Sequence, residues 1–320
     1  MRELNVDSRP FVRGMQIGCL CKDVIHRNIA RYRDELDRVK KNHAEFLGEL
    51  YSRLYKMHSV AIQELLGMAN GSQTVFMDIF LLNYPEMWGG ESGCTTVAIR
   101  NQSGAFIVHN EDEENWRRPD DYVLVRAMGE DGRPIFSAIC TPPELPGNAA
   151  SWNKNFFFSV DCMTPFPKRT LNDKNTPRFF EARKLLEQSS LEDALVVLDS
   201  DASASAFHYL FGEFGSGVIF SVEKFYEEMS VYAVEDFFYH TNHPTHKAFS
   251  QLDRARFSPN SVARMMTVKA KIKKSMRLPE VVSAMLHHLR RPIDGNDSSQ
   301  TFATIFADLK SRKVSLVDEF

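Results

Sequence analysis

Apolar residues recur at helical spacing through the first third of the chain, and strand-like runs follow. Between Asp23 and Ala69, Ile25, Ile29, Tyr32, Leu36 and Val39 fall three or four residues apart. Phe46, Leu50, Leu54 and Tyr55, then Ile62, Leu65 and Leu66, repeat the pattern. Gly48 and Gly67 are expected to break or end these helices. Upstream, Gly14 and Gly18 predict turns or close packing before the first helix. A short helix over Gln73–Tyr84 follows, stopped by Pro85 and the Gly89-Gly90 pair. The first 90 residues are therefore expected to be almost wholly helical.

At Cys94 the period changes. Thr95–Asn101 and Ala105–Asn110 read as a hairpin, as do Tyr122–Met128 and Ile135–Cys140 across Gly129 and Gly132. Phe156–Met163 is another strand. Arg178–Glu187 and Leu191–Leu198 are amphipathic helices, the second capped by Ser190. Ser205–Phe211, Val218–Val222 and Val231–Tyr239 return to strands. Residues 260–290 are helical with a fresh start at Leu278-Pro279, and Thr301–Leu309 and Val314–Val317 are strands. Strands and helices in blocks predict an α+β fold, two packed antiparallel sheets with helices outside, not a parallel α/β sheet.

The 320 residues suffice for one large domain or two ordinary ones. A net charge of -3 excludes a global pull toward nucleic acid or an anionic membrane. No apolar run reaches the ~20 residues of a membrane span, and the N-terminus lacks the apolar core of a signal peptide. Five cysteines form an odd, sparse set, which argues for a reducing, cytoplasmic setting rather than a disulfide framework.

The chemistry centres on Gly93-Cys94. A thiol opening a strand, behind the least bulky residue, suits attack on its own preceding carbonyl. The next strand ends at Asn110-Glu111-Asp112, and a hairpin returns that end to Cys94. Asp112 is thereby a candidate to hold a newly freed α-ammonium. Further on, Asn242 at a strand end is a candidate oxyanion donor. His240, His243 and His246 invite a metal reading, but Pro244 rules out a regular helix through them. The basic segment Arg264–Arg277 carries the apolar stripe Met265, Val268, Ile272 and Met276, and its cations could meet phosphate groups such as those of coenzyme A.

Gly93-Cys94-Thr95-Thr96, Asn110-Glu111-Asp112 and His240-Thr241-Asn242-His243, in that order, resemble the acyl-coenzyme A:6-aminopenicillanic acid acyltransferase family of N-terminal-nucleophile hydrolases. Arg13-Gly14 and Gly18, Ser205-Ala206-Phe207 and the terminal Ser299–Asp308 also look similar. The resemblance implies an αββα sandwich and self-cleavage between Gly93 and Cys94. It implies one structural domain made of a mostly helical 1–93 fragment and a catalytic 94–320 fragment that stay together. Cys94 becomes the nucleophile and its α-amine the base, with Asp112 and Asn242 completing the site. Thr95, Asn110, His240 and Arg264 are supporting positions, with Arg254 or Arg256 as alternatives to Arg264. The resemblance calls for no resident cofactor or metal, for acyl-coenzyme A at most as co-substrate, and for a small acylated substrate. Glu111 stands where the family commonly has an aromatic, and Asp161 where it usually has Asn. Those departures favour an alternative, an uncleaved member of the same fold that only binds an acyl ligand. A third reading is a metal-dependent hydrolase built on the three histidines.

Overall fold

The computed structural model describes residues 1–87, 93–163, 174–251, 257–291 and 299–317. The chain opens with strand β1 (Arg2–Asp7) and then six helices: α1 (Pro10–Leu20), α2 (Lys22–Arg31), α3 (Arg33–Asn42), α4 (Ala44–Met57), α5 (Ser59–Ser72) and α6 (Phe76–Leu82). Six strands follow: β2 (Cys94–Asn101), β3 (Gly104–Glu114), β4 (Val123–Met128), β5 (Pro134–Cys140), β6 (Ser151–Asn153) and β7 (Phe156–Cys162). Helices α7 (Arg178–Leu185) and α8 (Leu191–Ser200) precede β8 (Ala206–Glu213), β9 (Ile219–Phe225), β10 (Glu228–Ala233) and β11 (Phe237–His240). Ser190 caps α8 by accepting from the Asp193 backbone N–H at 3.0 Å. The chain closes with α9 (Pro259–Lys271), α10 (Leu278–His288), β12 (Ser299–Asp308) and β13 (Lys313–Val317). No helix among the described residues is long and apolar enough to cross a membrane.

The chain divides into two compact units. The first comprises Met1–Gly90, Asp120–Asn153 and Lys168–Ser205. Its strands run in the order β1-β4-β5-β6. β1 pairs parallel with β4, Leu4 against Val125, which corrects the expectation of purely antiparallel sheets and sets one strand ahead of an otherwise helical start. Its alternating Leu4 and Val6 are buried, but six residues are too short a run to register against the long helical pattern behind it. The 11–18 stretch is itself helical, inside α1. Gly67 and Gly48 do not end helices; both lie inside them. Gly67 is needed for contact: a Cβ there would sit 2.1 Å from the Phe11 carbonyl oxygen, and one on Gly14 would sit 1.9 Å from that of Glu64. Helices α1 and α5 thus meet backbone against backbone. Buried between them and α7, Glu64 accepts from Arg13 at 2.9 Å and from Arg183 at 2.8 Å, and both guanidinium groups lie over the Phe136 ring.

The second unit comprises Glu91–Pro119, Lys154–Pro167 and Ala206–Phe320. It stacks two antiparallel sets of strands, β11-β2-β3-β12-β13 and β7-β8-β9-β10. Val97, Ile99, Phe106 and Val108 on the outer face of the first set pack under Val268 of α9 and Val281 and Met285 of α10. The single strand expected over Val231–Tyr239 is two: β10 edges one set and β11 edges the other. Val234, Glu235 and Asp236 carry the chain across, a break that the continuous apolar-aromatic pattern conceals.

Candidate active site

Alternate residues of a strand share a face. In the β2–β3 hairpin Cys94 lies opposite Glu111 and Thr96 opposite His109. These four side chains therefore form a square on the inner face, toward β7 and β8. The Cys94 thiol donates to Glu111 Oε1 at 3.4 Å, and His109 Nε2 meets Glu111 Oε2 at 3.0 Å. His109 Nδ1 meets Thr96 Oγ1 at 2.7 Å, and the Thr96 hydroxyl reaches Asp161 across the interface at 2.9 Å. Burial, then the charges of Glu111, Asp161 and Asp112, push the Cys94 thiol well above its ordinary pKa.

The next rung is equally polar. On one side His240, Thr96 and His109 lie in register; on the other, Asp161, His208 and Glu223 do. Burial opposes charge on Asp161, but His208 and His240 outweigh it and hold the carboxyl far below its usual range. His208 Nδ1 lies 2.7 Å from Asp161. His240 sits 3.4 Å from Asp161 and 3.5 Å from Glu223, close charge contacts without a well-formed hydrogen bond. Burial works against an imidazolium there too, yet the two carboxylates raise His240 to about 9. His208, stacked on His240 with ring centroids 3.8 Å apart, is driven down to about 4 by burial and by that neighbouring cation.

The opposite face of the hairpin carries Thr95, Asn110 and Asp112. Helix α9 presents Ser261 and Arg264, three residues apart and so on one side. Arg264 donates to Thr95 Oγ1 at 2.7 Å and closely to the Cys94 carbonyl and to Asn242 Oδ1. Asn242 Oδ1 accepts from the Cys94 N–H at 3.1 Å, while its Nδ2 donates to the Cys162 carbonyl at 2.8 Å. Those partners fix which way the amide faces. Ser261 Oγ accepts from the Asn242 backbone N–H at 2.8 Å and meets His243 Nδ1 at 2.7 Å. Asp112 is fully buried, with Arg264 at 4.0 Å, Arg291 at 3.9 Å and the Thr301 hydroxyl on Oδ1. Its Oδ2 has no hydrogen-bond partner. Burial outweighs the two guanidinium groups and lifts its carboxyl to about 6. A Cβ on Gly93 would come within 2.4 Å of Arg291 Nη1 and 3.2 Å of Arg264 Nη2 and Asn242 Oδ1. The Gly93-Cys94 bond is thus surrounded by Arg264, Arg291 and Asn242.

The structure brings together Cys94, Asp112, Asn242, Thr95 and Arg264. Asn110 is a strut, with Nδ2 on the Leu289 carbonyl at 3.0 Å and Oδ1 accepting from Thr304 at 2.8 Å. His240 belongs to the inner charged rung. The three histidines of the metal reading do not converge: His243 binds Ser261, and His246 binds Ser221 at 2.8 Å and Ser230 at 3.0 Å. Arg254 and Arg256 lie outside the described residues, as do Gly89 and Gly90. Among the described residues, two other clusters hold possible ligand atoms within 4.8 Å of one another, Cys94 with His109 and Glu111, and Asp161 with His208 and His240. In the second, the rings stack only 18° from parallel, so their lone pairs do not converge on one ion. The first offers sulfur, nitrogen and oxygen, a set that suits zinc. Sequence reasoning did not find His109, His208, Glu223 or Arg291. The alternation of β3 could have signalled His109, two residues before Glu111. Nothing local marks the others, which come from β8, β9 and the segment after α10, far along the chain. A groove of about 870 Å³ runs past Tyr232, Phe237, Tyr239, Phe257 and His246, and Cys94 does not line it.

Known proteins resemble this chain. The family model described as acyl-coenzyme A:6-aminopenicillanic acid acyl-transferase matches residues 99–318. Beta-alanyl-dopamine/carcinine hydrolase of Drosophila melanogaster is 27% identical over 165 residues, 45% of this chain and 42% of that protein. The chain therefore spans less than half the length of this curated relative. Among solved structures, the Caenorhabditis elegans ortholog of N-acylethanolamine-hydrolyzing acid amidase is 14% identical, covering 68% of this chain and 93% of its own, with a TM-score of 0.47. The family match spans more than half of the sequence, and the chain belongs to the acyl-coenzyme A:6-aminopenicillanic acid acyl-transferase family.

Proposed function

We propose that the protein is a cysteine hydrolase or acyltransferase of small amides that matures by cutting itself between Gly93 and Cys94. The observation that carries this reading is the setting of that one bond. Its sulfur lies on a carboxylate, its N–H is held by Asn242, and Arg264 and Arg291 crowd Gly93. After the cut, Cys94 gains an α-amine with an ordinary pKa near 7.7–8.0. That amine takes the thiol proton, and its ammonium form has a waiting partner in Asp112 Oδ2. Sulfur then attacks the substrate carbonyl to give an acyl-enzyme, which water or an amine resolves. The developing oxyanion takes the second Asn242 amide hydrogen or Arg264; one such donor is worth about 3–4 kcal/mol of barrier. The named activity of the Drosophila relative directs the substrate choice to amides of small amines, N-β-alanyl amines among them.

Intact-mass measurement tests the reading. Wild-type protein is expected as two associated fragments split at Gly93/Cys94, and Cys94→Ala as one uncut chain without amidase activity. A wild-type chain that stays whole and still hydrolyses amides overturns the maturation step. The burial of Cys94, at 2% exposure, favours the second reading, an uncut binding protein. That reading predicts an intact wild-type chain that retains an acyl amine but does not turn it over.

A further inference from the structure

Self-cleavage faces a problem that turnover does not. The α-amine is the product of the cut, so it cannot be the base that starts it. A buried thiol also cannot ionise by itself, since burial and the carboxylates around it disfavour the thiolate. Some other group must take the proton as sulfur attacks.

We propose that Glu111 is that base, and that His109 is the positioning residue that holds its second oxygen and aims it. This rests on the maturation reading above and concerns the uncut chain. Glu111 Oε1 is the acceptor of the Cys94 thiol at 3.4 Å, and strand pairing holds the two residues directly opposite each other. His109 grips the other carboxylate oxygen at 3.0 Å.

Hydrogen-bond polarity fixes the protons on His109. Asp161, ionised, can only accept, so the Thr96 hydroxyl donates to it. Thr96 Oγ1 must then accept from His109 Nδ1–H. His109 is held above its ordinary pKa, so it carries a second proton on Nε2, toward Glu111 Oε2. The charges of Glu111, Asp161 and Asp112 support that form against burial. The arrangement uses a carboxylate at 111 and a charged Asp161 behind the imidazole together. Glu111 is thereby more than a mark of lost activity.

The step balances. As Cys94 Sγ bonds to the Gly93 carbonyl carbon, the thiol proton moves to Glu111 Oε1. The bond from Gly93 carbon to Cys94 nitrogen then breaks, and Glu111 returns the same proton to the leaving nitrogen. The product is a thioester between Gly93 and Cys94 with a free α-amine. Water opens it to a Gly93 carboxylic acid and restores the thiol.

The test compares wild type, Glu111→Gln, Glu111→Asp and His109→Gln as whole chains, with folding checked by thermal unfolding. Cleavage is followed by intact mass from pH 5 to 9. Glu111→Gln is expected to cut about 100-fold more slowly or worse, the scale of a lost general base. Glu111→Asp should recover part of that rate, which a purely structural role would not produce. His109→Gln should keep cutting more slowly at neutral pH, without the alkaline fall that wild type shows as His109 gives up its Nε2 proton and releases Glu111. The other charged or titratable groups acting on this pair are Cys94 on β2, Asp112 on the far face of β3 and Asp161 on β7, none altered by these variants. Cleavage of Glu111→Gln within threefold of wild type overturns the proposal while leaving maturation intact. If wild type never cuts, maturation fails and this proposal falls with it.

Discussion

Asp112 is the residue whose state most directly reports on the cut. In the continuous chain its Oδ2 is buried without a hydrogen bond, and its carboxyl rises from 3.8 to about 6. A raised carboxyl binds its proton more tightly when folded than when unfolded. Stability therefore falls as pH rises from about 4 to about 6, by at most about 3 kcal/mol. Uncut Cys94→Ala protein should show this fall in urea midpoints, and adding Asp112→Asn should flatten it. In cut protein the α-ammonium of Cys94 supplies the missing partner, so the fall should shrink there too; an equal fall in both forms would remove Asp112 from its assigned role. Much of this neighbourhood was legible in the chain. Gly93-Cys94 and Asp112 share a hairpin, and a hairpin's register follows from its turn. Asn242 and Arg264 were legible through the family pattern. Asp161, His208 and Glu223 meet that hairpin only because a second set of strands stacks on it, and no local spacing encodes such a meeting.

At the scale of elements, packing overrode several local signals. Glycine ordinarily weakens a helix by about 1 kcal/mol relative to alanine, so Gly48 and Gly67 look alike in a sequence. Their surroundings make them opposites. Nothing lies within 4 Å of a Cβ on Gly48, whereas one on Gly67 meets the Phe11 carbonyl oxygen at 2.1 Å and the Met15 nitrogen at 2.7 Å. Gly48→Ala should raise the unfolding midpoint modestly. Gly67→Ala should lower it, by roughly 1–3 kcal/mol or more, since α1 must move as a body. Similar shifts in thermal denaturation for both would show that α1 and α5 do not pack as described. The strand β1 was missed for a related reason: it is stabilised by pairing with β4, more than a hundred residues on, and six residues offer little periodicity of their own.

Across the whole molecule, charge is buried in a pattern that bulk composition hides. A net charge of -3 is unremarkable, yet each unit encloses ionised groups, Arg13, Glu64 and Arg183 in one and Asp161, Glu223 and His240 in the other. Removing one partner from such a set typically costs 3–5 kcal/mol, because the remaining charge stays buried. His240 makes this visible in solution. Its folded pKa of about 9 exceeds the ordinary 6.5, so its stabilising charge is fully present below 6.5 and is lost as pH rises through 9. Asp161, Glu223 and the stacked His208 are the groups that face it. Thermal midpoints should fall across that window, and His240→Gln should lose most of the slope; an unchanged slope would mean that His240 is neutral in the folded chain.

The short passage from β10 to β11 bears on how the interior can be reached. Between Ala233 and Phe237 the chain has only Val234, Glu235 and Asp236, a reach of about 14 Å at full extension. Stacked strand layers lie about 10 Å apart, so this link has little slack. It works as a stitched spine: along that margin the two layers cannot part by more than a few ångströms while both strands stay paired. Any breathing that admits water to the rung of His240, Thr96 and His109 must therefore start from another margin of the sandwich.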